Sequence, residues 1–341
     1  MQVKTKSREI RLASRPSGWP TAENFSLDEV EYGEPEAGQV LVRITHSSVE
    51  PYMRGRMNDA KSYVPPFQIG KPLEGGAVGF VVASGDESLP AGTWVHSMFG
   101  WREYALGPAK AFTKIDTTLA PPSAYLGVLG VPGFTAWVGL NIIAEFKAGE
   151  TVFISSAAGA VGSIAGQLVK LKGGTAIGSA GGAEKVKFLT ESLGYDAAFD
   201  HVGGEIERKL GQAAPGGIDV YFDNVGGEQL EAAISALKPF GRIAACGMIS
   251  GYNDAQPGPR NIIMVVGKRL TMKGFIVSDH WSRFGDFVAK IAPHLRSGKI
   301  VAQESFVDGI ANAPQAFIDM LRGGKHIGKV VVRTAPEGTA P

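Results

Sequence analysis

The chain has 341 residues, 44% of them hydrophobic, enough for a substantial core arranged as two domains or one large one. Its 34 basic and 33 acidic residues leave a formal net charge of +1, which argues against a long polyanion, nucleic acid included, as the main partner. A single cysteine, Cys246, excludes an internal disulfide framework and any site built on several thiols, and it suits a reducing cytoplasm.

The start, "MQVKTKSREIRLA", lacks the apolar segment of a secretory signal, so the expected location is cytoplasmic. Up to about residue 120 the runs "QVLVRIT", "GAVGFVVASG", "TWVHSMF" and "AFTKI" alternate or stay apolar between Gly, Pro and Asp turns, which predicts a mostly β region. Ala120 to Ala144 carries no charge, yet Pro121, Pro122, Pro132 and several glycines punctuate it. This reads as short buried helices, the second opened by Pro132, with no membrane span.

From about Thr151 apolar strands alternate with amphipathic helices: "TVFIS", a helix, "TAIGS", a helix from Ala183, "AAF", a helix from Glu205, "DVYFD", a helix from Gly226, "RIAAC", then "MKGFIV". Six such strands predict a doubly wound parallel sheet with ligands outside the carboxyl ends of its strands. After Lys299 the pattern is irregular until the helix "APQAFIDMLRGG" and a closing strand, "GKVVVR", which is expected to return to the first domain.

The stretch "ISSAAGAVGSIAGQ" is a strand, glycine turn and helix at the first strand of that alternation. Gly159 and Gly162 have the spacing of a dinucleotide-binding turn, with Ala157 in place of the usual first glycine, and the helix that follows offers N–H groups to phosphate. An ordinary tight turn is the alternative. At the end of the second strand Ser179, Ala180 and Gly181 stand where an NAD-preferring site has an acidic residue, so nothing there repels a 2′-phosphate. Lys185 either pairs with such a phosphate or is a solvated helix residue; spacing alone leaves both open.

Several segments stand in an order that resembles one family: "LASRPSGWPTAENF", "VEPYMRGRM", "AAGAVGS", "YFDNVGG", "CGMISGYN" and "GFIV". The chain resembles the zinc-independent members of the medium-chain dehydrogenase/reductase superfamily, in the NADPH-dependent alkenal/enone double-bond reductase group of leukotriene B4 hydroxydehydrogenases/prostaglandin reductases and bacterial curcumin reductases. The resemblance implies an α/β fold: a GroES-like, mostly-β catalytic domain of residues 1–125 and 304–341, and a Rossmann domain of residues 126–303 that binds NADP(H). It also implies that Gly159, Ala160, Val161 and Gly162 line the pyrophosphate, with Ser179 nearby, and that Lys185 meets the 2′-phosphate. Asn224, Cys246, Gly247, Ile249, Ser250 and Tyr252 would contact the cofactor, and Phe275, Ile276 and Val277 would flank the nicotinamide. A homodimer is the family expectation.

Two positions depart from that pattern. His201 stands where relatives often carry a tyrosine near the adenosine phosphate, and His326 where they carry an asparagine that reaches the cofactor; either imidazole can still hydrogen-bond a phosphate. No metal is expected. The stretches "SSVEPYMR" and "PLEGGAVG", where zinc relatives hold the catalytic ion, contain neither thiol nor imidazole, which leaves His46 as a strand histidine and Glu74 as a buried or turn carboxylate.

Without zinc, a hydrogen-bond donor must polarise the carbonyl of a small-molecule enone or enal. Hydride reaching the β-carbon leaves an enolate, and a donor already aimed at its oxygen stabilises that charge. Tyr252 is the first catalytic candidate, and Tyr52 the second, as a pocket donor or wall. Arg54 and Arg56 read as structural ion-pair partners, and Cys246 as a small packed residue. Two alternatives share the cofactor site: a quinone reductase of the same superfamily, and a non-catalytic dinucleotide-binding protein.

Overall fold

Gln39–Ser48 is the hub of a seven-stranded sheet and buries Val40, Val42 and Ile44 at alternate positions. It pairs antiparallel with Ala77–Ser84, with Tyr104–Pro108 and, at its far end, with Lys329–Arg333. Trp94–Ser97 and Phe112–Lys114 extend the sheet on one side, and Glu304–Asp308 lies parallel to Lys329–Arg333 on the other. The C-terminal chain therefore returns to the sheet of the N-terminal half. Thr5–Leu12 and Phe25–Tyr32 form a separate antiparallel ribbon.

These strands belong to one unit, Met1–Leu126 with Glu304–Pro341, and Gly127–Gln303 forms a second. The structure, a computed structural model, describes residues 4–254, 256–336 and 338–341. The first unit is the expected GroES-like mixed sheet. Four of its strands, Thr5–Leu12, Phe25–Tyr32, Tyr104–Pro108 and Glu304–Asp308, do not stand out in the apolar rhythm of the sequence, because charges, glycine or proline break it.

In the second unit six parallel strands run third, second, first, fourth, fifth, sixth in chain order: Ala197–Asp200, Thr175–Ala180, Thr151–Ile154, Ile218–Asp223, Leu237–Ala245 and Thr271–Gly274. That is the Rossmann order, and its reversal point lies beside Thr151–Ile154, where the glycine turn starts. Phe153, Ile177 and Tyr221 from the strands pack with Leu230, Ala233 and Ile234 of the helix Gly227–Ala236. The charge-free run forms the turn of helix Pro122–Leu126 and the helix Val131–Val138, which carries Pro132 in its first turn and buries Phe134, Trp137 and Val138. Among the described residues no helix is long and apolar enough to cross a membrane.

One strand differs from its sequence reading. "MKGFIV" is extended only through Gly274, so Phe275 to Val277 lie beyond the strand, and Val277 opens the turn of helix Val277–Arg283.

Candidate cofactor site and active site

At the carboxyl end of Thr151–Ile154 the chain turns through Ser156, which has a left-handed φ of 49°, and enters the helix Gly162–Leu171. A methyl group on Gly162 would lie 2.4 Å from the Ser156 carbonyl oxygen and 2.7 Å from Ala157 Cα, so only glycine lets the helix begin this close to the strand. Gly159 is less confined, with the Ser156 hydroxyl 3.1 Å and the Ser156 carbonyl 3.2 Å from where its Cβ would be. Ala157 is fully buried, and its N–H donates to the Ser179 carbonyl at 2.8 Å. No described side chain caps the helix; the Ser163 and Ile164 N–H groups donate to the Gly159 and Val161 carbonyls at 2.9 and 3.2 Å, which leaves the Gly162 N–H and the positive end of the helix dipole to suit an anion.

The next strand, Thr175–Ala180, ends in Gly181 and Gly182, and the helix Ala183–Glu191 carries Lys185. His201 follows Ala197–Asp200 and lies over Gly181, where a methyl group would come 3.4 Å from its Nε2. Asp200 accepts the Gly182 and Val202 N–H groups at 2.9 Å each, fixing the two strand ends together. Burial holds the Lys185 ammonium below the usual lysine range. His201 is also lowered, by burial first; Asp200 opposes the shift, and the nearby Lys185 charge adds to it. Two half-buried, cation-forming groups therefore face one corner. Ser179 does not join them: it is fully buried, and its hydroxyl bonds Gln229 of the helix Gly227–Ala236.

Two loops at the other end of the switch point interlock. Beyond Ile218–Asp223 lie Asn224 to Gly226, and beyond Leu237–Ala245 lie Cys246 to Tyr252, with a turn of helix at Ile249–Gly251. The Asn224 side chain donates to the Ser155 carbonyl at 2.8 Å, the Ile249 N–H to the Asn224 carbonyl at 3.3 Å, and the Ser250 hydroxyl to the Val225 carbonyl at 2.6 Å. The Tyr252 ring returns over Gly247, so that a methyl group there would lie 3.1 Å from the tyrosine hydroxyl. Burial, and then the Asp223 charge, push the Cys246 thiol up to about 12, which keeps it in the protonated form that is a poor nucleophile. Phe275 stands edge-on to Phe222, 6.5 Å between ring centres, and bounds the same end of the sheet together with Ile276 and Val277.

In the other unit Tyr52 precedes the short helix Met53–Arg56. Its hydroxyl pKa is raised well above the usual phenol range, by burial and then by the Glu50 charge, while the Arg56 guanidinium opposes the shift. Arg56 pairs with Glu74 at 2.6 Å, and Glu74 is an exposed loop carboxylate. Arg54 donates to Asn58 Oδ1 and to the Gly18 carbonyl, both at 2.7 Å. His46 lies within Gln39–Ser48 against the Thr45 hydroxyl at 2.9 Å, and burial and the Arg333 charge hold it down to about 4. His326 is half-buried in the loop before Lys329–Arg333. Among the described residues no group of three or more His, Cys, Asp or Glu side chains could hold a metal ion.

The sequence reading passed over Asp223 and Ser155, although both lie in quoted motifs. Nothing in a linear pattern distinguishes a carboxylate that ends a buried strand from a solvated one.

Residues 8–115 match the family described as the N-terminal domain of oxidoreductase, and residues 160–292 the family described as zinc-binding dehydrogenase. The chain is 42% identical to the NADPH-dependent curcumin reductase of Escherichia coli, across 98% of this chain and 99% of that protein. It is 37% identical to the NADP(+)-dependent 2-alkenal reductase of Nicotiana tabacum, across 99% and 100%. The crystal structure of CurA from Vibrio vulnificus in complex with NADPH superposes with a TM-score of 0.90 at 42% identity, covering 96% of this chain and 99% of that one.

Proposed function

The chain belongs to the medium-chain dehydrogenase/reductase superfamily, among its NADPH-dependent enone and alkenal reductases, and from that membership we propose that it reduces the carbon–carbon double bond of α,β-unsaturated ketones and aldehydes. The observation that carries this reading is one Rossmann unit with a glycine turn that only glycine permits, a Lys185–His201 corner suited to a phosphate, and Tyr252 folded over Gly247.

Those residues fit NADPH. Gly159 to Gly162 would hold the pyrophosphate, Lys185 and His201 the 2′-phosphate, and Asn224, Cys246 to Tyr252 and Phe275 to Val277 the nicotinamide end. When bound, the cofactor supplies the hydride that the β-carbon of the substrate accepts. The protein's part is electrostatic and positional. Tyr252 donates its hydroxyl proton in a hydrogen bond to the substrate carbonyl oxygen, where negative charge grows. Tyr52 is a second donor or wall of the substrate pocket, and its raised pKa keeps the proton on its oxygen. Ser179 contributes backbone shape only, since its hydroxyl is spent on Gln229.

Zinc has no part in this reading, because the stretches from Ser47 to Arg54 and from Pro72 to Gly79 offer carboxylates but no thiol or imidazole. A homodimer in the cytoplasm completes it. The strand Thr271–Gly274 is exposed at every residue on the open edge of the parallel sheet, and Ile263 and Val266, each 73% exposed, stand on the preceding segment, which suits a second copy.

Steady-state oxidation of NADPH with a small enone, with a quinone and with no acceptor tests the function. Turnover with the enone well above the quinone is expected. Faster turnover with the quinone identifies a quinone reductase, and tight NADPH binding without turnover identifies a binding protein.

A further inference from the structure

Asp223 ends the fourth strand of the parallel sheet and is completely buried. Its Oδ1 accepts from the Tyr221 hydroxyl at 2.7 Å, from the Gly226 N–H at 2.7 Å and from the Val225 N–H at 2.9 Å. Oδ2 is buried with no partner among the described residues, so the grip of this side chain passes through one oxygen. Those bonds curl Asn224 to Gly226 back over the strand end, a turn that also needs Gly226 at φ 72°.

The curled loop is in turn the template for the second loop. Three consecutive carbonyls, those of residues 223, 224 and 225, accept from it. The Asp223 carbonyl takes the Cys246 N–H at 2.9 Å and the Gly247 N–H at 3.0 Å; the Asn224 carbonyl takes the Ile249 N–H at 3.3 Å; the Val225 carbonyl takes the Ser250 N–H at 3.2 Å. The Asn224 N–H is held by the Ser155 hydroxyl at 2.9 Å, which ties both loops to the glycine turn. A shift of the 223–226 turn therefore moves Gly247 and, with it, the Tyr252 hydroxyl above it.

We propose that Asp223 is a positioning residue for the reaction: through Oδ1 it sets the loop on which the Cys246–Tyr252 loop is built, and so fixes both the nicotinamide end of the cofactor site and the Tyr252 hydroxyl. This deepens the reductase reading and rests on it. Asp223 touches neither substrate nor cofactor in this assignment and acts through other residues.

The test compares Asp223→Ala, Asp223→Asn, Tyr221→Phe, Tyr252→Phe and the double variant Asp223→Ala/Tyr252→Phe, by NADPH fluorescence titration and single-turnover oxidation with a saturating enone. Asp223→Ala should weaken NADPH binding about tenfold or more and slow turnover by a similar factor, because buried donors lose their acceptor. Asp223→Asn keeps an acceptor at Oδ1 but buries an amide N–H at the unpartnered Oδ2 position, so its loss should be clearly smaller than that of Asp223→Ala without vanishing. The double variant should turn over about as slowly as the slower of the two single variants, because both act through the same Tyr252 hydroxyl. If Asp223→Ala does not fold, Tyr221→Phe decides: its NADPH binding should weaken about threefold or more, and an unchanged value overturns the inference. The inference is equally overturned by a folded Asp223→Ala with unmodified binding and rate, by an Asp223→Asn as impaired as the alanine variant, or by rate losses that multiply in the double variant. Failure of the unmodified protein to bind NADPH would overturn the reductase reading itself.

Discussion

The Tyr252 hydroxyl lies directly over Gly247, with only 3.1 Å between it and the place a methyl group on that glycine would take. A side chain at residue 247 would therefore press on that hydroxyl. Tyr252→Phe should lower kcat by roughly 10- to 1000-fold while NADPH binding changes far less, because the bond lost is strongest in the transition state. Gly247→Ala should lift the ring and give a loss of the same kind. Tyr52→Phe should act mainly on apparent substrate affinity. Single-turnover rates at saturating NADPH separate these effects.

The proposed 2′-phosphate site at Lys185 and His201 predicts a preference between cofactors. Lys185→Glu should raise the Kd for NADPH far more than that for NADH, since repulsion replaces a charge-assisted hydrogen bond. Equal losses for the two cofactors, measured by fluorescence titration, would remove Lys185 from the phosphate site.

His201 should make NADPH affinity depend on pH. Burial and the Lys185 charge favour its neutral form in the free protein, whereas a bound phosphate favours the imidazolium. The proton is then taken up on binding, and affinity rises as pH falls below the ordinary histidine range toward the lowered value of the free protein. His201→Phe binds the same phosphate without that imidazole, so the difference between the two pH profiles isolates the residue. Parallel profiles would show that it does not titrate with binding.

His46 should make the fold acid-sensitive. Its pKa is about 4 in the folded state against an ordinary value of 6.5, so the neutral form contributes stability that is fully present above 6.5 and is lost as pH falls toward 4. The loss is at most ~3 kcal/mol. Urea unfolding between those limits should show a shallower pH slope for His46→Gln than for the unmodified protein.

Turnover should survive exhaustive chelation, because the stretches that hold zinc in other superfamily members offer no thiol or imidazole here. Recovery of lost activity on adding zinc back would contradict this.

What could be read in the sequence was what repeats locally. The strand, glycine turn and helix around Gly159 and Gly162 is a continuous segment whose packing demand is met by its own neighbours, and the Rossmann alternation has a period that survives substitution. Thr5–Leu12 and Glu304–Asp308 were not legible, because their strand character comes from partners far along the chain. The end of "MKGFIV" at Gly274 was misplaced for a related reason: apolar residues bounding a site look like strand. Ser179 matched the expected position by count, but only the tertiary contact with Gln229 shows that its hydroxyl turns inward. Asp223 was the least visible, since the role proposed for it depends on three carbonyls that receive a loop 23 to 25 residues further along the chain.

The most direct test of the central claim is the fate of a deuteride. With NADPH deuterated at the transferable position and a small enone, the expected product is a saturated ketone carrying one deuterium at the former β-carbon, located by NMR. Deuterium at the carbonyl carbon of an allylic alcohol would show that the chain reduces the carbonyl and not the double bond, and would contradict that claim.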